Sequence, residues 1–295
     1  STPFGGLRLW ECPPNGQGIT ALLALNILEG FDLPSDPLCA DRLHLEIEAL
    51  RLAFTDTRWY IADPHVVHVP VDELISKEYA AERRKLIDPK KATINPLRGM
   101  PVAGSDTVYF CVVDQWGNAC SFINSNYMGF GTGIVPHGWG FTLQNRGHNF
   151  SLEPGHPNVL APGKRPYHTI IPAMITHQAD GSLFGPLGVM GGFMQPQGHL
   201  QIFLALAQGL DPQTALETPR FCISDGTAGG EVALEEGLPA GIIADLRKRG
   251  HPVRMVSGWE RAIFGRGQVI LRDAATSVLI GGSDPRADGC AMTLV

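Results

Sequence analysis

The residue with the clearest chemical potential is a threonine at the end of a turn-rich segment. Residues 88–106 are rich in Pro, Gly, Asn and Asp without a hydrophobic period, whereas the sequence from Thr107 reads as a β-strand. A threonine hydroxyl becomes a useful nucleophile only beside a base. Cleavage of the bond between Asp106 and Thr107 would supply one, because the freed α-amino group has an ordinary pKa of about 8. The spacing alone also fits a threonine that merely begins a strand.

A pair of glycines and a pair of histidines are further candidates. Gly191 and Gly192 precede a predicted helix, and their N–H groups could stabilise an oxyanion, although a plain turn fits them equally well. His65 and His68 have no third ligand in the sequence nearby, which favours a structural pair over a zinc site. The sequence carries no dinucleotide fingerprint. We therefore expect neither a metal nor an organic cofactor.

The composition is typical of a globular protein and argues against several functional classes. The 295 residues are 44% hydrophobic and 18% charged, and the formal net charge of −6 offers no basic surface for nucleic acid. No apolar stretch reaches the ~18 residues that a membrane span requires. Six cysteines without a C-x-x-C pair favour reduced thiols. We expect a cytoplasmic protein, with the periplasm as the alternative because the sequence starts at Ser1, without an initiator methionine.

Helical and strand-type segments follow one another in a way that fits an α+β protein with a mainly antiparallel sheet. Apolar periodicity predicts helices near 19–27, 40–54, 71–87, 195–208 and 239–249. Strand-type segments predict a hairpin of 107–114 and 119–124, a strand near 169–176 and a hairpin around Asp273. The segment 188–194 is expected to be a loop. Thr107 would then open the first hairpin, and the paired glycines would lie just ahead of a helix.

Several motifs in a fixed order resemble the γ-glutamyltransferase family. Residues 9–65 contain Leu-Trp-Glu-Cys-Pro-Pro-Asn-Gly-Gln-Gly-Ile, similar to the end of the family's large subunit. Residues 107–295 contain Val-Val-Asp-Gln-Trp-Gly-Asn-Ala, Phe-Gly-Thr-Gly-Ile, Gly-Lys-Arg-Pro, Met-Gly-Gly and Ser-Asp-Pro-Arg, similar to its small subunit. The resemblance implies a four-layer αββα sandwich of the N-terminal-nucleophile type. It also implies a self-cleaving precursor, with residues 1–106 as the C-terminal part of the large subunit and linker and residues 107–295 as the small catalytic subunit.

The resemblance also implies catalytic roles for four residues. Thr107 falls on the family's nucleophile, which first attacks the carbonyl of Asp106 and later a substrate amide. Gly191 and Gly192 fall on the paired glycines of the oxyanion hole. Ser125 falls where the family keeps a threonine hydroxyl that hydrogen-bonds the nucleophile.

The substrate-binding positions depart from those of the transferases. Tyr127, Arg146 and Asn149 fall where the family holds a glutamyl α-amino group with amide and carboxylate acceptors, and an arginine offers no acceptor. His168 and Thr169 fall on the paired serines that bind the α-carboxylate. We therefore expect a small anionic amide without an α-amino group, whose carboxylate would pair with Arg146. These positions are most similar to the non-transferase branch, which includes oxamate amidohydrolases and some cephalosporin acylases.

The sequence thus predicts an autoprocessing N-terminal-threonine amidohydrolase that cleaves a small carboxylated amide such as oxamate through an acyl-enzyme on Thr107. The alternatives are a γ-glutamyltransferase or glutathione hydrolase, a cephalosporin-type acylase, and an uncleaved binding protein without catalysis. The expected partners are the small-molecule amide and the remaining N-terminal part of the large subunit, in an αβ heterodimer that could oligomerise further. No nucleic-acid or membrane partner is expected.

Overall fold

The computed structural model describes residues 1–93 and 105–293, without the side chains of Ser105 and Asp106. The strands are β1 (Thr2–Phe4), β2 (Leu7–Trp10), β3 (Ser105–Val113), β4 (Ala119–Met128), β5 (Ala173–His177), β6 (Leu183–Met190), β7 (Phe221–Ile223), β8 (Val232–Glu235), β9 (Val253–Val256), β10 (Arg266–Arg272) and β11 (Leu279–Ser283). The helices are α1 (Ile19–Leu28), α2 (Ala40–Tyr60), α3 (Val71–Leu74), α4 (Lys77–Arg84), α5 (Met194–Ala207), α6 (Pro212–Glu217) and α7 (Ala240–Lys248), with 3-10 helices at Arg146–Asn149 and Gly258–Phe264. The described part of the chain is therefore α+β, as expected.

Six strands form the main sheet in the order β1-β2-β5-β6-β10-β11, and each neighbouring pair in it is antiparallel. The prediction of a mainly antiparallel sheet is confirmed. A smaller sheet contains β7, β8 and β9, of which β8 and β9 are parallel. The sequence predicts helices and no strands before Thr107, which is wrong for β1 and β2. The turn between them has φ values of 58° at Gly5 and 81° at Gly6, the left-handed values that favour a two-residue Gly-Gly hairpin loop.

Helices lie on one face of the main sheet, and the β3–β4 hairpin lies on the other. Successive residues of a strand point to opposite faces. A side chain at Gly188 in β6 would collide with the ring of Tyr109 in β3, whereas the neighbouring Val189 packs closely on Gly198 in α5. Helix α5 in turn contacts α1, whose residues are all buried, as is typical of a helix that is apolar on every side. The main sheet thus lies between helices on one face and the β3–β4 hairpin on the other.

The outer face of the hairpin is apolar as well. Thr107 and Tyr109 are buried, but the alternate residues Val108, Phe110 and Val112 are 53%, 47% and 49% exposed. Apolar side chains on both faces are typical of a strand that lies between two layers. The described residues do not cover this outer face, so the fourth layer of the expected sandwich stays a prediction.

One predicted helix is divided in two. The segment 71–87 was expected to be continuous but contains α3 and α4, because Ser76 between them has extended backbone and its side chain accepts the N–H of Tyr79. This hydrogen bond caps the start of α4. The other predicted helices are present with shifted ends, and α2 continues six residues beyond Phe54 to Tyr60.

The strand boundaries near the candidate site also differ from the predictions. Strand β6 continues to Met190, so the expected loop 188–194 is partly strand. Strand β5 begins only at Ala173. Strand β3 begins at Ser105, which places Thr107 inside the strand rather than at its start. Most of the turn-rich segment before it, residues 94–104, lies outside the described residues.

Candidate active site

Thr107 and Ser125 face each other across the β3–β4 hairpin. They are partners in the antiparallel register, and the Thr107 hydroxyl donates a hydrogen bond to Ser125 Oγ at 2.8 Å. Ser125 Oγ also accepts the backbone N–H of Tyr127 at 2.9 Å. Thr107 is 5% exposed. The structure therefore brings the expected nucleophile and its expected hydroxyl partner together, with the Thr107 hydroxyl held in a defined orientation.

A β-bulge lies opposite the bond between Asp106 and Thr107. Asp106 pairs with Tyr127 and Thr107 with Ser125, so Asn126 is an extra residue in β4. Tyr127 has a φ of 78°, a left-handed conformation that is rare for a bulky residue. Bulges re-aim side chains and are frequent beside active sites. Here the Tyr127 side chain lies in the interior, with 5% of its surface exposed.

Arg146 places a positive charge beside Ser125 and Thr169. Its guanidinium donates to Thr169 Oγ1 at 2.6 Å and to the Ser125 backbone carbonyl at 3.4 Å, and lies 5.6 Å from the centre of the Tyr127 ring. Burial lowers the pKa of Arg146 to about 10, so the group stays protonated at neutral pH. Among the described residues no carboxylate offsets this charge. A buried guanidinium without a counter-ion favours the binding of an anion.

His168 and Thr169 lie next to Arg146. Burial, reinforced by the positive charge of Arg146, lowers the pKa of His168 to about 4. The imidazole is therefore neutral at pH 7 and can donate one hydrogen bond and accept another. Thr169 is fully enclosed, with 1% of its surface exposed.

Asn149 joins the group from the end of the 3-10 helix that begins at Arg146. Its side chain lies beside the hydroxyl of Tyr127, and its backbone carbonyl accepts a hydrogen bond from Asn158 Nδ2 at 2.7 Å. Burial raises the pKa of Tyr127 above its ordinary value despite the nearby arginines. Tyr127 and Asn149 therefore present neutral groups, whereas a bound α-ammonium would favour a charged acceptor.

The Gly191–Gly192 pair forms the turn between β6 and α5. The Gly191 carbonyl accepts the N–H of Met194 at 3.1 Å, and in a trans peptide the N–H of Gly192 points in the opposite direction. This N–H is thus aimed away from the helix. Gly191 has a φ of 136° and a Cβ there would lie 3.2 Å from the Cβ of Met194. Both facts favour glycine at this position.

The Gly191–Gly192 turn and strand β3 approach each other near one contact. Tyr109 lies two residues after Thr107, and its ring packs over Gly188, three residues before Gly191. A second link is the side chain of Gln17, whose Nε2 donates to the carbonyls of Thr169 at 2.8 Å and Gly192 at 2.9 Å. Thr107, Ser125, Arg146 and Thr169 are thus joined by hydrogen bonds, and the Gly191–Gly192 turn is linked to them through Gln17.

Gln17 and Arg58 adjoin the site and were not among the predicted residues. Gln17 belongs to the Pro-Pro-Asn-Gly-Gln-Gly segment, which contributes to the resemblance to the family but predicts no role for this side chain. The Arg58 guanidinium at the end of α2 lies 4.4 Å from the ring centre of Phe193 and 5.5 Å from that of Tyr167. A polar residue in the last turn of a helix gives no sequence signal for such a position.

The described residues contain no cluster of three or more His, Cys, Asp or Glu side chains that could hold a metal ion. His65 and His68, the weak zinc candidates, are both exposed. None of the described helices combines the length and the apolar character needed to cross a membrane.

An α+β fold that joins a strand threonine, a glycine turn and a buried guanidinium agrees with the N-terminal-nucleophile class expected from the sequence. The chain belongs to the γ-glutamyltranspeptidase family, since the family model described as gamma-glutamyltranspeptidase matches residues 1–294. It is 35% identical, over 99% of its length, to the glutathione hydrolase-like YwrD proenzyme of Bacillus subtilis. It is also 35% identical, over 96% of its length, to the oxamate amidohydrolase proenzyme of Klebsiella pneumoniae.

Among solved structures, the chain is similar to a cephalosporin acylase from Bacillus halodurans. The TM-score is 0.88 with 48% sequence identity, and the match covers 98% of this chain and 51% of the acylase chain. The chain likewise spans 55% of the YwrD proenzyme and 53% of the oxamate amidohydrolase proenzyme. It thus corresponds to about half the length of these relatives.

Proposed function

We propose that this chain is the catalytic part of a self-cleaving amidohydrolase that uses Thr107 as nucleophile and acts on the amide of a small carboxylated substrate such as oxamate. The observation that carries the proposal is the position of Arg146. Its buried guanidinium donates to the backbone carbonyl of Ser125, the residue whose side chain accepts a hydrogen bond from the Thr107 hydroxyl. A substrate carboxylate bound at Arg146 would therefore lie close to the nucleophile.

Self-cleavage would precede turnover. Thr107 Oγ1 attacks the carbonyl carbon of Asp106, the acyl group moves from nitrogen to oxygen, and water hydrolyses the resulting ester. This reaction frees the α-amino group of Thr107, whose ordinary pKa of about 8 suits it to act as a base at neutral pH. Hydrolysis leaves Asp106 with a free α-carboxylate, which is the new C-terminus of the preceding chain, and restores the Thr107 hydroxyl.

Turnover would then use the same hydroxyl. The α-amino group takes the proton of Thr107 Oγ1 as the oxygen attacks the substrate amide carbonyl. The N–H of Gly192 would stabilise the negative oxygen of the tetrahedral intermediate. The leaving nitrogen receives the proton, and water hydrolyses the acyl-enzyme. From oxamate the products are ammonia and oxalate.

The surroundings of Arg146 support an anionic acyl group without an α-amino group. Arg146 can donate two parallel hydrogen bonds to a carboxylate, and neutral His168 and the hydroxyl of Thr169 offer further contacts. The same guanidinium would repel the α-ammonium of a γ-glutamyl substrate. The similarity to the oxamate amidohydrolase proenzyme, at 35% identity, agrees with this choice.

A cephalosporin-type acylase is a second candidate, because the solved acylase shares 48% of its residues with this chain over nearly its whole length. An acylase would use the same Thr107 and glycine turn but would accept a much larger leaving group. Turnover of a glutaryl cephalosporin that exceeds turnover of oxamate would favour it. A non-catalytic binding protein would instead keep the bond between Asp106 and Thr107 intact.

The subunit arrangement follows from the same proposal. Residues 1–106 and 107–295 would be separate chains after cleavage and remain associated, because β1 and β2 are built into the sheet of the later strands. The half-exposed apolar side chains of Val108, Phe110 and Val112, together with a match to only about half of each relative, support a fourth layer supplied by a further part of the large subunit. The resulting molecule would be an αβ heterodimer with the αββα order.

Mass spectrometry and ammonia release together test the proposal. The full protein is expected to yield a fragment that begins at Thr107 and to release ammonia from oxamate, whereas a Thr107→Ala variant should do neither. Thr55→Ala is the matched control, since Thr55 is a half-buried threonine of α2 whose hydroxyl donates to the carbonyl of Arg51 in the same helix. Cleaved wild-type protein that transfers γ-glutamyl groups to a dipeptide but leaves oxamate intact would refute the proposed substrate class.

A further inference from the structure

Gln17 joins the two halves of the candidate site through a single nitrogen atom. The side chain is completely buried, and Nε2 donates to the Thr169 carbonyl at 2.8 Å and the Gly192 carbonyl at 2.9 Å. A primary amide nitrogen has two protons, so these bonds use its full donor capacity. The backbone N–H of Gln17 also donates to the carbonyl of His168 at 3.0 Å. Gln17 is therefore fixed to the Arg146 side of the site at two points and to the glycine turn at one.

The orientation of this amide is determined by its neighbours. If the oxygen and nitrogen were exchanged, Oε1 would face two carbonyl oxygens and repel both. In the observed orientation Oε1 is buried without a hydrogen-bond partner among the described residues. A buried unpaired acceptor is unfavourable, so a glutamine is a poor choice here for stability alone. The feature that an apolar side chain could not replace is the bridge between the two carbonyls.

The bridge acts on both of the groups that would contact substrate. Thr169 Oγ1 accepts a hydrogen bond from Arg146, so the position of the Thr169 backbone affects where the guanidinium lies. The Gly192 carbonyl accepts Gln17 Nε2 together with the N–H of Gln195 at 3.2 Å, which fixes the peptide planes of the turn. A shift of either carbonyl changes the distance between the anion site and the turn.

We propose that Gln17 is a positioning residue that sets the distance between Arg146 and the Gly191–Gly192 turn, and thereby the length of the acyl group that the enzyme accepts. The inference rests on the proposed function, in which Arg146 holds the substrate carboxylate and the turn holds the amide oxygen. In oxamate these two groups are on adjacent carbons. Malonamate and succinamate separate them by one and two methylene groups, so the three amides measure the distance directly.

The test compares kcat/KM of the cleaved enzyme for oxamate, malonamate and succinamate. Gln17→Met keeps the side-chain volume and removes the bridge. A displacement of about 1 Å in a reacting group lowers rates by about 100-fold, so we expect a loss of this size for oxamate, mainly in kcat. Succinamate should lose less, so that the preference for oxamate over succinamate falls at least tenfold.

Gln201→Met is the matched control. Gln201 Nε2 also donates to two backbone carbonyls, those of Gln197 and Phe221, both at 3.0 Å, but it lies in α5 away from the contacts of Arg146. Its loss should lower the melting temperature without altering the order of the three amides. Gln17→Asn, which shortens the side chain by one methylene and cannot keep both bonds, carries the same test if Gln17→Met does not fold.

An unchanged ratio among the amides in a folded Gln17 variant would overturn the inference, as would an equal change in the Gln201 variant. Wild-type turnover separates this result from the proposed function. If the wild type hydrolyses γ-glutamyl amides and none of the three acidic amides, the proposed function fails, and the ratio of γ-glutamyl to β-aspartyl amides then decides the role of Gln17. Cleaved wild-type protein without any turnover would overturn both.

Discussion

Replacing Arg146 by glutamine removes the charge from the centre of the site while leaving a side chain that can still donate to Thr169. Arg146 is 4% exposed, so water does not screen its interaction with a bound anion. A hydrogen bond to a charged group contributes about 1.5–3 kcal/mol, and a carboxylate held by both arms of a guanidinium makes two. With partial compensation by the glutamine amide, a net loss of about 3 kcal/mol is a reasonable magnitude, which is roughly 100-fold in affinity.

The expected result of Arg146→Gln is a rise in KM for oxamate of about 100-fold and a smaller fall in kcat. Self-cleavage should proceed, because the bond before Thr107 requires no external carboxylate. Steady-state ammonia release gives the kinetic constants, and the mass of the cleaved fragments reports processing. Arg165→Gln is the control, since Arg165 forms its ion pair with Asp63 on the exposed side of the chain.

A second readout follows the neighbouring imidazole. The charge of Arg146 is one of two causes that depress the pKa of His168, and burial is the larger. Removing the charge should raise this pKa from about 4 toward its ordinary value without reaching it. An NMR titration of His168 would show the shift. If Arg146→Gln abolished self-cleavage, or left KM unchanged while His168 shifted, Arg146 would be a structural residue and the proposed anion site would be refuted.

Three further substitutions test separate parts of the structure. Ser125→Ala should lower turnover about 10- to 100-fold, because it removes the hydrogen-bond acceptor of the Thr107 hydroxyl at a cost of about 1–3 kcal/mol. Ser125→Thr should restore most of the turnover, as measured by ammonia release, and full activity of the alanine variant would contradict this role. Gly191→Ala should destabilise the fold by about 1–3 kcal/mol in urea titrations and lower kcat further than Gly209→Ala, a control glycine with positive φ outside the site. Burial lowers the pKa of His251 in the folded protein to about 3, whereas in the unfolded chain this pKa is about 6.5. The stability that the neutral imidazole contributes is therefore complete above about pH 6.5 and falls as the pH drops below that value. We therefore expect that, in the uncleaved Thr107→Ala protein, adding His251→Asn reduces the loss of stability between pH 6.5 and 4.5 in urea titrations. An equal loss with and without His251→Asn would contradict the lowered pKa of His251.

The helices of the core were predictable because their apolar periodicity is local information. The ends of α1 and α5 agree with the predictions to within about a residue, and both helices are buried. The short strands β7 to β9 were not predicted. Strands of three or four residues are defined by their partners in the sheet, because so short a segment carries little local periodicity of its own.

The residues of the candidate site also differ in whether the sequence alone could identify them. The family motifs led to Thr107, Ser125 and the paired glycines, and the structure connects them. The residue type of Arg146 suggested a positive charge that could pair with a substrate carboxylate. The burial of this charge depends on the packing around Tyr127, which no sequence pattern specifies. Gln17 could not be predicted as a bridge, because its two acceptors lie about 150 and 175 residues later in the chain.

The position of Thr107 inside β3 gives the proposed cleavage a second consequence. In the uncut strand Asp106 pairs with Tyr127 and Ser105 with Met128. The preceding residues are therefore still joined to the Thr107 nitrogen that cleavage would free as the α-amino group. Thr107 is also buried, with 5% of its surface exposed. After cleavage Ser105 and Asp106 would belong to the preceding chain, and their strand pairing with β4 would no longer be reinforced by the bond to Thr107. Their departure would uncover the nucleophile, so one hydrolysed bond would supply both the catalytic base and the opening through which the amide reaches it.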